Sequence, residues 1–464
     1  MPEFGSLNIA FTGLKAHEKR ISTIGENIAN VNTPGYHRQR VELSPIDNVA
    51  TGHLSGRFRA GAGVEVSDVA RLRDEILSDH ARHQSGVAAS RAETAETMLQ
   101  IEQTVGGLNP GGLHDQMTAL FNSFDDLSGS PEDPAMRGVV LQRAENVVQG
   151  FNRTVEGIDR LHQRSTDQVT DTVRKINSIA EQIAIMDVEV AGAINVGADP
   201  NTLLDKRDAM VSELSALAAV NVVEDQDGQV AVSIDGYLLV TNGRSRELSI
   251  TTTADAALGA LGYGRLSVVD QSGRELNVAG GALSAGLNAV NQVIPDGRRD
   301  VDAVALDLAT QVNAIHQGGA GLDSSTGLNM FEVSASGLLT MSADVEGQPD
   351  KIAAATAGSG LLDNSNARQM AQLADIPTGP LANFVETVGT MAAKVASATG
   401  SAEAAQAASA QADNLAMAAG GVSLDEELTD LITAQRSYEA SARLMTAIDE
   451  MIQTLINRTG LVGR

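Results

Sequence analysis

Heptad ladders stand at both extremities of this chain, and they constrain its fold more than any other feature. Near the start, Leu7, Leu14, Ile21 and Ile28 recur every seventh residue, and Phe11, Ile24 and Val31 widen them into one apolar stripe. Near the end, Leu424, Leu428, Leu431, Gln435, Tyr438, Ala442 and Met445 step by four and three. Asp449 falls on the next seam position, and the stripe slides to Ile448, Met451, Ile452 and Leu455. Two such stripes at opposite ends predict helices that pack on each other and on neighbouring subunits. A helix over 7–31 spans ~37 Å at 1.5 Å per residue. Ser423 and Glu426 form a capping box that opens the last helix.

The first helix runs into "ENIANVNTPGY", residues 26–36. Thr33-Pro34-Gly35-Tyr36 suits a type II turn, with Pro second and Gly third. Pro34 keeps Thr33 out of the helical region, so the helix stops before it.

Between the ends the pattern is mainly helical, with one β-rich interruption. Residues 37–70 read as extended, and helices follow from near Leu72 to Val105 and around Leu113 to Phe124. After the start signal Ser130-Pro131-Glu132-Asp133-Pro134, helical spacing barely breaks from Ala135 to Ile194. One helix of that length measures ~90 Å, the scale of a bundle rod. At Val220 the texture changes to period two, with Asp227-Gly228 and Asp235-Gly236 at hairpin-turn positions. Further strands are expected at about 247–253, 264–270 and 274–278. Helix resumes from Leu283 to His316; residues 318–360 are Gly- and Ser-rich with weak pattern; two more helices are read at 365–400 and 402–418. The fold class is mainly α with a β-rich insertion. It combines a long bundle or coiled coil built from both chain ends with a small β domain.

Composition removes several function classes. With no cysteine, neither disulfides nor a thiolate metal site can form. A net charge of −26 opposes nucleic-acid binding, which needs clustered Lys and Arg. No run of ~18 apolar residues reads as a membrane span. Trp is lacking and aromatics make up 3% of the chain, few for the walls of a ligand pocket. The local candidates for chemistry are weak. Asp225, Asp227 and Gly228 look like half a calcium loop, but the twelfth position is Gly236 rather than Glu, so a hairpin turn is the better reading. His80 and His83 beside Asp79 have no convergent third ligand. Ala282-Leu283-Ser284-Ala285-Gly286 reads as a helix start rather than a nucleophile elbow. No catalytic, cofactor or metal constellation emerges, and the reading is of a structural protein.

The residues also carry a resemblance. "SLNIAFTGLKAHEKRISTIGENIANVNTPGYHRQRVEL" resembles the N-terminal signature of bacterial flagellar axial proteins. Ser423 to Leu461, with Asp425-Glu426-Glu427 and Gln435-Arg436-Ser437-Tyr438, resembles their C-terminal segment. Rod, hook and hook-associated members share both ends, so a rod or hook subunit stays open on the ends alone. Two middle stretches, "LNPGGLHDQMTALFNSFDDLSGSPEDPAMRGVVLQRAENVVQGFN" and "PNTLLDKRDAMVSELSALAAVNVVEDQDGQVAVSIDGYLLV", are similar to the hook-associated branch at the hook–filament junction. Asn313-Ala314-Ile315-His316 followed by Phe331 fits the same branch. Larger relatives carry an extra outer domain after this point, where the chain has only a short weakly patterned stretch.

The resemblance implies an extracellular structural subunit of the flagellum that polymerises through its terminal helices. Its partners would be hook protein, the second hook–filament junction protein and copies of itself in a helical ring. A cytoplasmic export chaperone would cover the C-terminal helix before unfolded export, without signal cleavage, through the flagellar type III apparatus. Residues 1–36 and 421–464 become the two halves of the inner coiled-coil domain. Residues 37–219 and 283–420 form the two parts of the helical rod, and 220–282 the β-rich outer insertion. On this reading Asn27, Asn30 and Asn32 satisfy carbonyls at the helix end and bond to an adjacent subunit, Gly35 permits the turn and Tyr36 packs across it. A plain helix C-cap accounts for Gly35 but not for three asparagines.

Overall fold

The computed structural model describes residues 3–46, 63–106, 109–225 and 228–459. Asp227, placed above in a hairpin turn, lies outside them. Helices dominate. The terminal ones, α1 (Glu3–Ala29) and α11 (Leu424–Thr459), lie antiparallel, with Gly13 against Ser441, Arg20 against Asp430 and Asn27 against Glu427. An antiparallel ribbon of β1 (Gln39–Pro45) and β2 (Val64–Arg71) packs on α1, with a register shift at Glu42/Leu43.

The body begins with α2 (Glu75–Val105), which Asp74 caps by accepting from the Leu77 N–H at 3.1 Å. Gly106 ends it in the left-handed region, the usual stop for a helix. Then come α3 (Leu113–Gly129), α4 (Pro134–Asn195) and α5 (Asn201–Leu217). The 62 residues of α4 form one helix, ~93 Å long. Asp133 caps it and Pro134 sits in its first turn, where a missing N–H costs nothing. Its apolar stripe serves two cores in succession. Val140, Ala144, Val147, Phe151 and Ile158 pack with α3 and later helices, whereas Val173, Ile176, Ala180 and Ile183 pack with α5 and the β strands.

Strands β3 (Asn221–Glu224), β4 (Val230–Ile234), β5 (Tyr237–Thr241) and β6 (Arg244–Ser245) form one antiparallel sheet in that order. Val230, Val232 and Ile234 of β4 alternate inward, as the period-two pattern requires. Asp235 and Gly236 both take positive φ, 49° and 74°, which a type I′ hairpin turn demands. A second pair, β7 (Ser249–Thr253) and β8 (Arg265–Val269), flanks the four-residue helix α6 (Ala256–Gly259). The third strand expected at 274–278 reduces to a single bridge from Val269 to Glu275.

Helices α7 (Gly281–Asn288) and α8 (Ile294–His316) run on from each other through a π turn over Ala289–Val293. Pro295 explains the wider turn: its ring clashes with the carbonyl four residues back, and the π geometry relieves this. Asn291, in the π turn, exchanges two bonds with the backbone of Leu266, each 2.8 Å, tying β8 to the helix. The stretch after α8 is ordered despite its weak pattern. It contains β9 (Gly319–Ala320), β10 (Phe331–Val333), β11 (Leu339–Met341), a 3₁₀ turn at Pro349–Lys351 and β12 (Ala355–Thr356). Met330, Phe331, Leu339, Val345 and Ile352 are fully buried and belong to the first core. Last in the body come α9 (Ser365–Gln372) and α10 (Pro380–Gly420). The break expected near 401 lies instead at 373–379: Pro377, Gly379 and Pro380 stop the chain, whereas Gly400 is absorbed within the helix at a cost of ~1 kcal/mol.

Candidate subunit-assembly site

The two chain ends meet around Asn27. Its amide bonds the backbone of Gln39 in both directions, Nδ2 donating to the carbonyl at 2.9 Å and Oδ1 accepting from the N–H at 3.0 Å. Nδ2 also donates to Glu427 Oε2 at 3.0 Å, and the Tyr36 hydroxyl donates to Oδ1 at 2.9 Å. Asn27 and Glu427 are each 1% exposed. Arg38 completes the cluster: Nε lies 2.5 Å from Glu427, one terminal nitrogen 2.6 Å from Glu426 and the other 3.3 Å from Asp430, which Arg20 also reaches at 3.2 Å. Burial opposes the charge of Arg38, but Glu427 and Glu426 outweigh it and leave its pKa raised. Burial, reinforced by Glu26, Asp205 and other carboxylates, pushes the Tyr36 phenol up to about 12, so it remains a donor at any ordinary pH.

This geometry corrects one expectation. Asn27 does not reach out to an adjacent subunit, because all its bonding capacity is used inside the chain. Asn30 does cap the helix end, donating to the Glu26 carbonyl at 2.9 Å and accepting from the Thr33 hydroxyl at 3.1 Å. Asn32 is exposed. The turn forms as read: Tyr36 N–H donates to the Thr33 carbonyl at 3.2 Å, and Gly35 has φ 79°.

From the turn, the chain is tied to the body. His37 Nδ1 lies 2.8 Å from Asp205 of α5, and Arg71 bridges Asp205 and Asp208 at 2.9 and 3.0 Å. The Arg38 N–H donates to the Gly420 carbonyl at the end of α10, at 2.9 Å. Between residues 31–37 and 416–423 lies a groove of about 590 Å³.

The apolar ladders flank the α1–α11 contact instead of filling its centre. Ala10, Ala16, Thr23, Ile24 and Asn27 of α1, and Glu427, Ala434 and Ile448 of α11, are the buried positions. Small side chains let the two backbones approach, so the bulkier ladders lie beside the contact. Leu7, Leu14, Ile21, Ile28 and Val31 are half-buried, as are Leu431, Tyr438, Met445 and Ile452. Phe11 (49%), Leu424, Leu428 (50%), Ile432 and Gln435 are exposed. The sequence reading missed Arg20, Arg38 and Gln39. Its available signal was the charge match between Arg38 or Arg40 after the turn and Asp425-Glu426-Glu427.

The weak candidates for chemistry resolve locally. Asp79 pairs with Arg82 on the exposed face that holds His80 and His83. Among the described residues no group of three His, Asp or Glu could hold a metal ion. Residues 282–286 lie in the first turns of α7. No helix is long and apolar enough to cross a membrane among the described residues.

Comparison with known proteins agrees with this architecture. The model of the flagellar hook-associated protein FlgK helical domain matches residues 98–331. Models of the flagella basal body rod protein and of the flagellar basal body rod FlgEFG protein C-terminal match the two ends, residues 7–37 and 416–458. Flagellar hook-associated protein 1 of Bacillus subtilis is 26% identical over 99% of this chain and 99% of its own length. The Salmonella typhimurium protein of the same name is 27% identical over 70% of this chain, which spans only 59% of that relative. A solved structure, the flagellar hook junction protein FlgK from Burkholderia pseudomallei, shares 26% identity with a TM-score of 0.48, covering 55% of this chain and 47% of that one. With half the chain matched by the helical-domain model and both ends by axial-protein models, the chain belongs to the flagellar hook-associated protein FlgK family.

Proposed function

We propose that this structural subunit of the bacterial flagellum joins hook to filament through its paired terminal helices. The observation that carries the reading is the exposed apolar flank beside the α1–α11 contact, where Phe11, Leu424, Leu428 and Ile432 stand in solvent on a joined arm. Exposed side chains of this size along one arm fit an interface with neighbouring subunits. Residues 1–36 and 421–464 form the inner layer of a helical ring, 37–219 and 283–420 the rod layer, and 220–282 the outward insertion. The arm packs against copies of itself, hook protein lies on one side and the second junction protein on the other. A cytoplasmic chaperone shields the Leu and Met stripe of α11 before the chain is exported unfolded through the flagellar type III apparatus.

A strain lacking the protein tests the reading. It is expected to assemble hooks and to spill filament protein into the medium. Failure of the hooks themselves to form would reassign the chain as a rod or hook subunit.

A further inference from the structure

Most layers of the α1–α11 contact contain little that fixes how far one helix slides along the other. Gly13 faces Ser441, and an added Cβ there would stand 3.4 Å from the serine oxygen. Ser6 and Ile448 line a common groove further along. On α11 the facing positions Glu427, Ala434, Ser441 and Ile448 recur every seven residues. A slide of one heptad sets Ala434 opposite Gly13 in place of Ser441, an exchange of nearly equal volumes. Packing at that layer barely distinguishes the two.

The Asn27–Glu427 layer does distinguish them. Each side chain is enclosed, and each partner is fixed by further groups: Asn27 by the Gln39 backbone and Tyr36, Glu427 by Arg38. A slide in either direction separates the two and strands a buried amide or carboxylate, a penalty that small-residue layers do not offset. Bringing Arg20 opposite Glu427 leaves Asn27 without its carboxylate, so that alternative is not equivalent. A single polar layer within a helix pair is a known way of fixing register.

We propose that Asn27 and Glu427 are the register-determining residues of the terminal helix pair, selecting one alignment of α1 on α11 among several that packing would accept. Their effect is on which alignment forms, not on whether the helices pair. Only the consequence for assembly rests on the function proposed above: a fixed alignment presents Phe11 and Leu428 at the same heights in every subunit.

The cysteine-free sequence makes a direct test possible. In the full-length chain, Gly13→Cys with Ser441→Cys reports the native alignment, and Gly13→Cys with Ala434→Cys reports the slide by one heptad. The native background is expected to cross-link only the first pair. Adding Asn27→Leu with Glu427→Leu is expected to raise the second cross-link at least about tenfold while helix content by circular dichroism is retained. Persistence of the first cross-link alone overturns the proposal, as does loss of both, since the pair would then be needed for pairing itself. The shape-conserving Glu427→Gln variant is expected to keep the native pattern, and appearance of the slid cross-link there overturns it too. Hook binding by the unsubstituted chain is scored separately; its failure sinks the junction reading and leaves the cross-link result standing.

Discussion

His316 accepts a hydrogen bond from the Ala353 N–H through Nε2, at 3.1 Å, while its Nδ1 lies 2.8 Å from the Leu328 carbonyl. These partners fix one neutral tautomer, with the proton on Nδ1. The ring is 1% exposed and joins α8 to two separate loops of the following stretch.

That arrangement predicts an acid-sensitive contribution to stability. Burial, partly opposed by the bond to the Leu328 carbonyl, lowers the pKa of His316 below 6.5. The unfolded chain therefore binds more protons than the folded one as pH falls below 6.5, and stability is lost in that direction. His316→Gln should lower Tm at pH 7.5 and flatten its fall between pH 6.5 and 5. Parallel pH curves for the two proteins would show that His316 does not supply the slope.

Tyr263, Asp159 and Arg298 tie the β7–β8 region to the helices. The Tyr263 hydroxyl donates to Asp159 at 2.5 Å, its ring stacks on His162 with centroids 3.8 Å apart, and Arg298 reaches Asp159 at 2.7 Å and Asp302 at 2.9 Å. Tyr263→Phe keeps the stack and loses one bond to a charged group, costing about 1.5–3 kcal/mol. Arg298→Ala removes the shared cation and leaves carboxylates facing each other, costing about 3–5 kcal/mol. Urea unfolding should rank them in that order; a larger loss for Tyr263→Phe would contradict it.

Two glycines with similar φ should respond differently to alanine. Gly35 (φ 79°) meets only Ala209 Cβ at 3.8 Å, so Gly35→Ala costs the backbone strain alone, about 1–2 kcal/mol. Gly281 (φ 76°) would bring its Cβ to 2.5 Å from the Leu217 carbonyl carbon, and backbone there cannot swing away. Overpacking then adds to strain, and Gly281→Ala should cost about 3–4 kcal/mol. Equal Tm losses would show that the α5–α7 junction yields more easily than its geometry implies.

Leu428→Ser separates assembly from folding. At 50% exposure the side chain contributes little within the chain, and stability should change by no more than about 0.5 kcal/mol. Association with purified hooks, read by sedimentation, should fall strongly. Normal association would remove Leu428 from the proposed interface.

Regular features were legible in the sequence because one local rule governs each. The 62 residues of α4 follow a single helical period between Pro134 and Asn195, and the Asp235-Gly236 turn needs the positive φ that those residues accept. The stretch over 318–360 obeys no period. Its buried Met330 and Phe331 are held by Asn313 near the end of α8, whose Oδ1 accepts from both backbone N–H groups at 2.8 and 3.0 Å, a contact that no period encodes. Asn27 could be recognised as unusual but its direction could not be read, since Glu427 lies 400 residues further along the chain. Likewise the ladders at Leu7–Ile28 and Leu424–Met445 revealed two helices. Which face of each meets the other depends on small residues such as Ala10, Gly13 and Ala434, which a search for bulky apolar side chains passes over.

The continuous run of α4 has a thermodynamic consequence. Its first half walls one hydrophobic cluster and its second half the other. Fraying the helix at the boundary would expose both clusters together, so neither has a cheap route to melt by itself. The body should therefore behave as one cooperative block, with calorimetric and van't Hoff enthalpies that coincide despite its elongated layout.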